Sequence, residues 1–265
     1  EVGPGPGAAQ AAAPPNRPAP AGLPGPSRPA GPVGYDRSQD RPDGLVGHWR
    51  FDSPVTQEAK DLSGLEQTAI LDGTIDWSRA DGRPALVFSG DYGLVRIPDH
   101  PRLRFRRNES FTLMVWVKPP EELVNGAWQG VVTKPRGRQD GWYGIWLGNF
   151  NGERRWVYGS TFRGDNMANL VGSRVVDGWQ HVCIVQNHAQ RTRRIYVDGL
   201  DVCVDGRPGP AKDSDGVGDL LIGGATILTR ENTEVVEQFR GSIAEVRLYS
   251  RALTPEEILK AAQER

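Results

Sequence analysis

From Leu45 onward, apolar and polar residues alternate over short runs, and each run ends in turn-forming residues. A period of two over such lengths marks a half-buried strand. The pattern predicts strands over 45–51, 85–88, 93–97, 111–118, 130–134, 142–147, 155–158, 179–186, 193–197, 201–204, 220–222 and 241–249. Asp72-Gly73, Asp81-Gly82, Asn151-Gly152 and Asp198-Gly199 supply turn signals, the last two placed as tight hairpins. One helix is marked near the end: Thr254 caps, Pro255 takes the first helical position, and Glu257 completes a capping box ahead of Ile258 and Leu259. Many short strands and a single terminal helix predict an all-β sandwich of two antiparallel sheets.

Ahead of Leu45 the alternation is missing. The first 44 residues hold 8 Gly, 11 Pro and 8 Ala, so 27 positions cannot build an apolar core. The expected organisation is a Pro/Gly/Ala-rich tether over 1–44, disordered or extended, followed by one domain over 45–265. Fully extended, the tether would reach on the order of 100 Å. A collagen reading fails, because Arg28 interrupts the three-residue glycine spacing of Gly22, Gly25, Gly31 and Gly34.

Charge narrows the partners. With 32 basic and 33 acidic side chains the net charge is -1, which excludes binding driven by electrostatic attraction to nucleic acid or an anionic membrane. No apolar run approaches the roughly 18 residues of a membrane-spanning helix, so no membrane insertion is expected. The opening residues Glu1-Val2-Gly3-Pro4 lack a basic, then apolar, leader. A protein already processed and secreted, periplasmic or held at a bacterial cell surface is the expectation.

The residues that recur at strand and turn positions carry a likeness. Gly44-Leu-Val-Gly-His-Trp-Arg-Phe-Asp52, Asp61-Leu-Ser-Gly64, Leu86-Val-Phe-Ser-Gly-Asp-Tyr-Gly-Leu-Val95, Ser110-Phe-Thr-Leu-Met-Val-Trp-Val-Lys-Pro119, Gly178-Trp-Gln-His-Val-Cys183, Ile195-Tyr-Val-Asp-Gly199, Leu221-Ile-Gly-Gly224 and the run from Phe239 to Thr254 occur in one order. This ordered set resembles the laminin-G-like jelly rolls of the concanavalin A-like lectin and glucanase superfamily, and more distantly the pentraxins. The resemblance implies a jelly roll. It also implies core positions for Trp49, Trp116, Trp179 and His181, the last as a hydrogen-bonded core histidine.

Glycosidases of that superfamily are similar to one another in a Glu-x-Asp-x-x-Glu strand motif, whose alternation sets carboxylates on one face of a cleft. This chain has no such motif, nor a Gly-x-Ser-x-Gly elbow, a His-Glu-x-x-His pair or a phosphate-cradling glycine loop. Glu231, Glu234 and Glu237 recur every third residue and read as a solvated acidic loop. A non-catalytic domain is expected.

Eight tryptophans suggest binding, because aromatic rings stack on the C–H faces of sugars. Trp142, Trp146, Trp156 and Tyr158 form the densest cluster. Alternation predicts Trp142, Gly144 and Trp146 on one face with Trp156 and Tyr158 beside them, leaving Tyr143, Ile145, Leu147 and Val157 for the core. Asn149, Asn151, Arg154 and Arg155 would give this platform a polar rim. The expected partner is a glycan; a cell-surface protein docking on the same aromatics is the alternative, and a hydrolase or lyase built from residues that converge only in space is the third reading.

The resemblance also implies a structural Ca2+, with Asp52, Asp61 and Glu245 as ligands, although Ala244 stands where an acidic residue is usual. The run Asp213-Ser-Asp-Gly-Val-Gly-Asp219 reads as a solvated turn. Cys183 takes a strand position that in pentraxins holds half of a disulfide, but Met114 takes the other half. Cys183 and Cys203 would flank the strand at 193–197, about 9–10 Å apart, too far for a bridge. Two buried free thiols are expected.

Overall fold

The computed structural model describes residues 35–55, 57–80, 82–106, 108–121, 128–134, 142–160, 169–203, 216–228 and 233–264. Its strands are β1 (Leu45–Arg50), β2 (Glu58–Ala59), β3 (Ala69–Gly73), β4 (Asp76–Ala80), β5 (Arg83–Ser89), β6 (Gly93–Ile97), β7 (Phe111–Lys118), β8 (Gln129–Thr133) and β9 (Tyr143–Phe150). There follow β10 (Glu153–Ser160), β11 (Leu170–Arg174), β12 (Gln180–Asn187), β13 (Thr192–Val197), β14 (Leu200–Asp201), β15 (Leu220–Ile222), β16 (Ala225–Leu228), β17 (Thr233–Val236) and β18 (Arg240–Tyr249), then helix α1 (Pro255–Gln263).

Two antiparallel sheets stack face to face. The first runs β14-β13-β12-β7-β18-β5-β4, with β1 also paired to β18; the second runs β11-β10-β9-β8-β15-β6-β3-β2. Strands β16 and β17 form a separate two-stranded ribbon. Alternation aims Phe111, Leu113, Val115 and Val117 of β7 inward, where they meet Tyr143, Ile145 and Leu147 of β9 in one continuous core. Phe105, Phe111 and Tyr143 stack at one end of it, with centroids 4.7 and 4.8 Å apart from the central Phe111.

The tight hairpins form as expected. Asn151 (φ 53°) and Gly152 (φ 87°) join β9 to β10, and Asp198 (φ 51°) and Gly199 (φ 83°) follow β13; two positive φ values in succession match the right-handed twist of the flanking strands. The capping box is complete, with Thr254 and Glu257 exchanging side-chain-to-backbone bonds across Pro255. Ile258 and Ala261 of α1, with Leu253 just ahead of it, cover the outward-facing Met114, Cys183, Val185 and Tyr196 of the first sheet.

Several elements depart from expectation. The strands β2, β3, β4, β11, β16 and β17 are additional, and Asp72-Gly73 ends β3. Asp81 and the strand position Val204 lie outside the described residues, as does the expected tether up to residue 34. From Tyr35 on, however, the segment expected as tether belongs to the folded body. A 3-10 turn at Arg37–Gln39 presses Arg37 over the Phe105 ring at 4.6 Å, and its guanidinium donates to Glu109 Oε1 and the Arg102 carbonyl oxygen. A charged, stacking residue can dock where the surrounding Pro/Gly/Ala composition cannot. Both cysteines are free. Cys183 is buried opposite Met114, whereas Cys203 is only half-buried, its Sγ accepting from the Ile195 N–H; burial pushes the Cys203 thiol up to about 11.

Candidate functional site

The β9–β10 hairpin decides the fate of the expected aromatic platform. Its two-residue turn sets Phe150 opposite Glu153, which pairs Leu147 with Trp156, Trp146 with Val157 and Ile145 with Tyr158. Directly paired residues share a face. Trp156 and Tyr158 therefore join Tyr143, Ile145 and Leu147 in the inter-sheet core, both fully buried. The Trp156 indole donates to Gln180 Oε1 at 3.1 Å. Val157, expected in the core, points outward with Trp142 and Trp146.

Those two tryptophans face outward but are closed over. Their rings meet edge to face at 5.0 Å, Ala225 at the base of the β16–β17 ribbon packs on them, and the Trp146 indole donates to Glu237 Oε2 at 2.8 Å. The expected platform of Trp142, Trp146, Trp156 and Tyr158 is thus split between two faces, with every ring buried. Its polar rim is partly spent as well. Asn149 Oδ1 accepts from the Gly152 N–H, Asn151 occupies the turn itself, and Arg154 donates to the Pro120 carbonyl oxygen and Asp177. Of the acidic run, Glu231 lies outside the described residues, Glu234 is exposed on β17, and Glu237 is the indole acceptor rather than a solvated charge.

What stays open on this face is a second aromatic pair. Trp128 and Phe150 stand edge to face at 5.6 Å, partly exposed, on the margin of the Trp142–Trp146–Val157 cluster. They lie over Gly148, where a Cβ would come within 2.8 Å of Phe150 and 3.4 Å of Trp128, so the pair depends on a residue without a side chain. Across the ladder from Gly148 stands Arg155, whose guanidinium is held by Glu153 at 2.8 Å and donates to the Gly172 carbonyl oxygen on β11 at 3.4 Å. Trp128 was not singled out because it lies outside any alternating run; its partner Phe150 ends β9, and Gly148 lies under both rings.

The first sheet shows another grouping on its outer face. Trp116, expected in the core, points outward from β7 with Arg83 over its ring at 4.0 Å and His181 against it at 5.3 Å. Trp179 is likewise half-buried, 5.7 Å from the same guanidinium. His181 is buried, but on this outer face rather than between the sheets. Burial, with Arg247 nearby, pushes its pKa down to about 4, and its Nδ1 has no hydrogen-bond partner. The expected hydrogen-bonded core histidine is therefore displaced in both location and bonding.

The residues expected to hold calcium do not form a cradle for it. Asp61 Oδ1 accepts from the His48 and Ser63 N–H groups, and Oδ2 from Ser63 Oγ and the Gln67 N–H. Glu245 Oε1 lies 2.6 Å from His48 Nε2 and 2.9 Å from Arg247 Nε. Although burial pushes its pKa up, His48 and Arg247 hold it down to about 2. Asp52 is exposed beside Arg50. Among the described residues, no three His, Cys, Asp or Glu side chains gather as metal ligands. A donor-saturated aspartate and an arginine-paired glutamate do not fit a hard cation that needs free oxygens. Residues 213–215 of the Asp213–Asp219 run lie outside the described residues.

Two stacked antiparallel sheets define a jelly-roll sandwich. The chain belongs to the concanavalin A-like lectin/glucanases superfamily: a laminin-G-type family model of that description matches residues 89–259. Among solved structures, domain 4 of AbnA, a GH43 extracellular arabinanase from Geobacillus stearothermophilus in complex with arabinotriose, is 18% identical with a TM-score of 0.58, covering 83% of this chain and 98% of that one. The binding domain of botulinum neurotoxin DC in complex with rat synaptotagmin II is 12% identical (TM-score 0.62; 83% and 51% covered). Trypanosoma rangeli sialidase is 18% identical (TM-score 0.56; 83% and 32% covered). The chain thus spans about half of the toxin binding domain and a third of the sialidase. No curated protein matches it in sequence.

Proposed function

We propose that this domain is a non-catalytic carbohydrate-binding module that holds a glycan on the outer face of the second sheet, at Trp128, Phe150 and Arg155. The observation that carries the reading is the partly exposed, edge-to-face Trp128–Phe150 pair over Gly148, with the oriented Arg155 guanidinium across the ladder from that glycine. Rings offer apolar faces to sugar C–H groups, and Arg155 supplies planar donors for ring hydroxyls. The buried Trp142–Trp146 cluster underneath keeps the exposed pair from collapsing inward, which lowers the ordering cost of binding. Two carboxylates at this face are already engaged, Glu153 by Arg155 and Glu237 by the Trp146 indole, which supports recognition over turnover. The solved complex of AbnA domain 4 with arabinotriose is consistent with sugar recognition on this fold. The reading carries with it a location in the periplasm, at the cell surface or in the medium.

The test is a glycan-array screen of the full chain followed by calorimetry with the best hit. A hit lost on Trp128→Ala with the melting temperature retained supports the reading. Binding that survives Trp128→Ala and Arg155→Ala moves the site elsewhere. A protein partner that resists sugar competition favours an adhesion domain, and release of sugar from a polysaccharide favours a hydrolase or lyase.

A further inference from the structure

The first sheet is open along the side of β4, which ends the strand order and pairs only with β5. Opposite Arg79 stands Pro84, which has no N–H to give, so this pair exchanges no ladder bonds. Alternation puts Trp77 and Leu86 in the same class. The N–H and C=O groups of Trp77 and Arg79 therefore point to the open side, and among the described residues no backbone group closes on them. Such a row of donors and acceptors is a template for another strand.

The edge also carries side chains that an added strand would cover. Trp77 packs against the inter-sheet core but is only half-buried, its indole donating to the Phe51 carbonyl oxygen at 2.8 Å. Val55 and Ile75 are half-buried against the same core. Arg79 is exposed and makes no ion pair among the described residues. No proline, glycine or lysine guards Asp76-Trp-Ser-Arg-Ala80.

We propose that β4 is a dimerisation edge, pairing antiparallel with β4 of a second copy of this chain about a two-fold axis at Ser78. A second copy is selected because the strand is its own complement. With Ser78 opposite Ser78 of the other copy, Trp77 falls opposite Arg79 and Arg79 opposite Trp77, so four backbone bonds form and each guanidinium meets an indole. Asp76 falls opposite Ala80, so no charge faces its like. A slip of one residue aims outward groups at inward ones, and a slip of two toward the strand's end sets Arg79 against Arg79. Because directly paired residues share a face, the axis stands perpendicular to the sheet, and both copies turn their second sheets to the same side. The pairing does not depend on the glycan reading. Taken with it, two Trp128 sites face one surface and bind a multivalent glycan with avidity.

The test is sedimentation velocity of the full chain from about 1 to 100 μM, the range in which a modest interface associates, together with cysteine cross-linking. The weight-average mass is expected to climb from 29.1 kDa toward twice that value. Arg79→Pro removes an outward N–H without taking a ladder bond from β5, and is expected to stay monomeric with an unchanged circular dichroism spectrum. Should that variant misfold, Arg79→Glu, which sets a carboxylate against the indole, carries the comparison and is expected to weaken association at least about tenfold. At the axis the two Ser78 Cα atoms lie about 4.5 Å apart, within disulfide range, whereas the two Asp76 positions lie about 14 Å apart. Mild oxidation is therefore expected to cross-link Ser78→Cys chains, and Asp76→Cys chains no more than the wild type. A wild type that stays monomeric at the highest concentration overturns the proposal. So does a dimer that survives the Arg79 variants, or one that Asp76→Cys cross-links as readily as Ser78→Cys, because its contact then lies elsewhere or in another register. A monomer that takes up an extended peptide, and loses it in Arg79→Pro, gives the edge to a foreign strand and sinks the dimer.

Discussion

Trp156→Ala separates a structural tryptophan from a ligand-binding one. Trp156 is fully buried in the inter-sheet core, and its indole donates to Gln180 Oε1. Removing a ring of that size from a packed core costs about 3–5 kcal/mol. Little is added for a stranded acceptor, because Gln180 Oε1 also receives the Val176 N–H at 3.3 Å. In a domain of this size each kcal/mol lowers the melting temperature by about 2–4 °C, so a drop of roughly 6–20 °C is expected. Trp128→Ala removes a half-buried ring at the margin of its cluster and is expected to cost about 1 kcal/mol or less in stability, but at least about tenfold in glycan affinity. Differential scanning calorimetry and binding calorimetry on both variants measure the two quantities. A Trp156→Ala protein that melts with the wild type yet no longer binds glycan would refute the face assignment and restore Trp156 to a binding surface.

Acid should destabilise the domain in two steps. His181 holds its proton more weakly folded than unfolded, so its contribution is full above about pH 6.5 and drains as pH falls toward about 4. Glu245, also depressed when folded, contributes above about pH 4.5 and loses that contribution toward about pH 2. Each is worth roughly 3 kcal/mol, and urea melts from pH 7 to 3 should show the upper step vanish in His181→Gln and the lower one flatten in Glu245→Gln. Asp61→Ala strands four donors and should lower stability by several kcal/mol, while chelator leaves the wild-type melting temperature unchanged; a fall with chelator would reinstate a metal at that position. Thr254→Ala breaks the capping box and is expected to cost about 1 kcal/mol by thermal melt, with strand content by circular dichroism unchanged.

The strands with strong alternation were legible from residues alone, and β6, β7 and β15 begin and end where apolar periodicity places them. The strands missed are short or polar: Ala69-Ile-Leu-Asp-Gly73 ends in a turn dipeptide, and Asp76-Trp-Ser-Arg-Ala80 offers a single large apolar residue. Their pairing is set by neighbours rather than by propensity. The platform failed for a different reason. Alternation along one strand says which residues share a face, but joining two strands needs the count back from the turn. With Asn151-Gly152 as the turn, that count already pairs Trp156 with Leu147. Burial under the β16–β17 ribbon depends on long-range packing, and local pattern carries no trace of it. Likewise His181 and Trp116 were recognised as strand residues, and the alternation that turns Val115, Val117 and Val182 inward puts both on the outer face; what local pattern does not show is that α1 folds back over that sheet.

The Arg37 clasp has a mechanical consequence. Tension arriving through the chain ahead of Tyr35 meets the guanidinium bonds to Glu109 and the Arg102 carbonyl oxygen before it reaches β1. A second link follows, from Arg41 to the Ser63 carbonyl oxygen. Both are side-chain attachments that can yield and re-form without disturbing the ladder of β1 on β18. A module pulled by its amino-terminal end therefore carries a fuse in series with its sheet, and a jolt is spent on these links while both faces of the sandwich keep their shape.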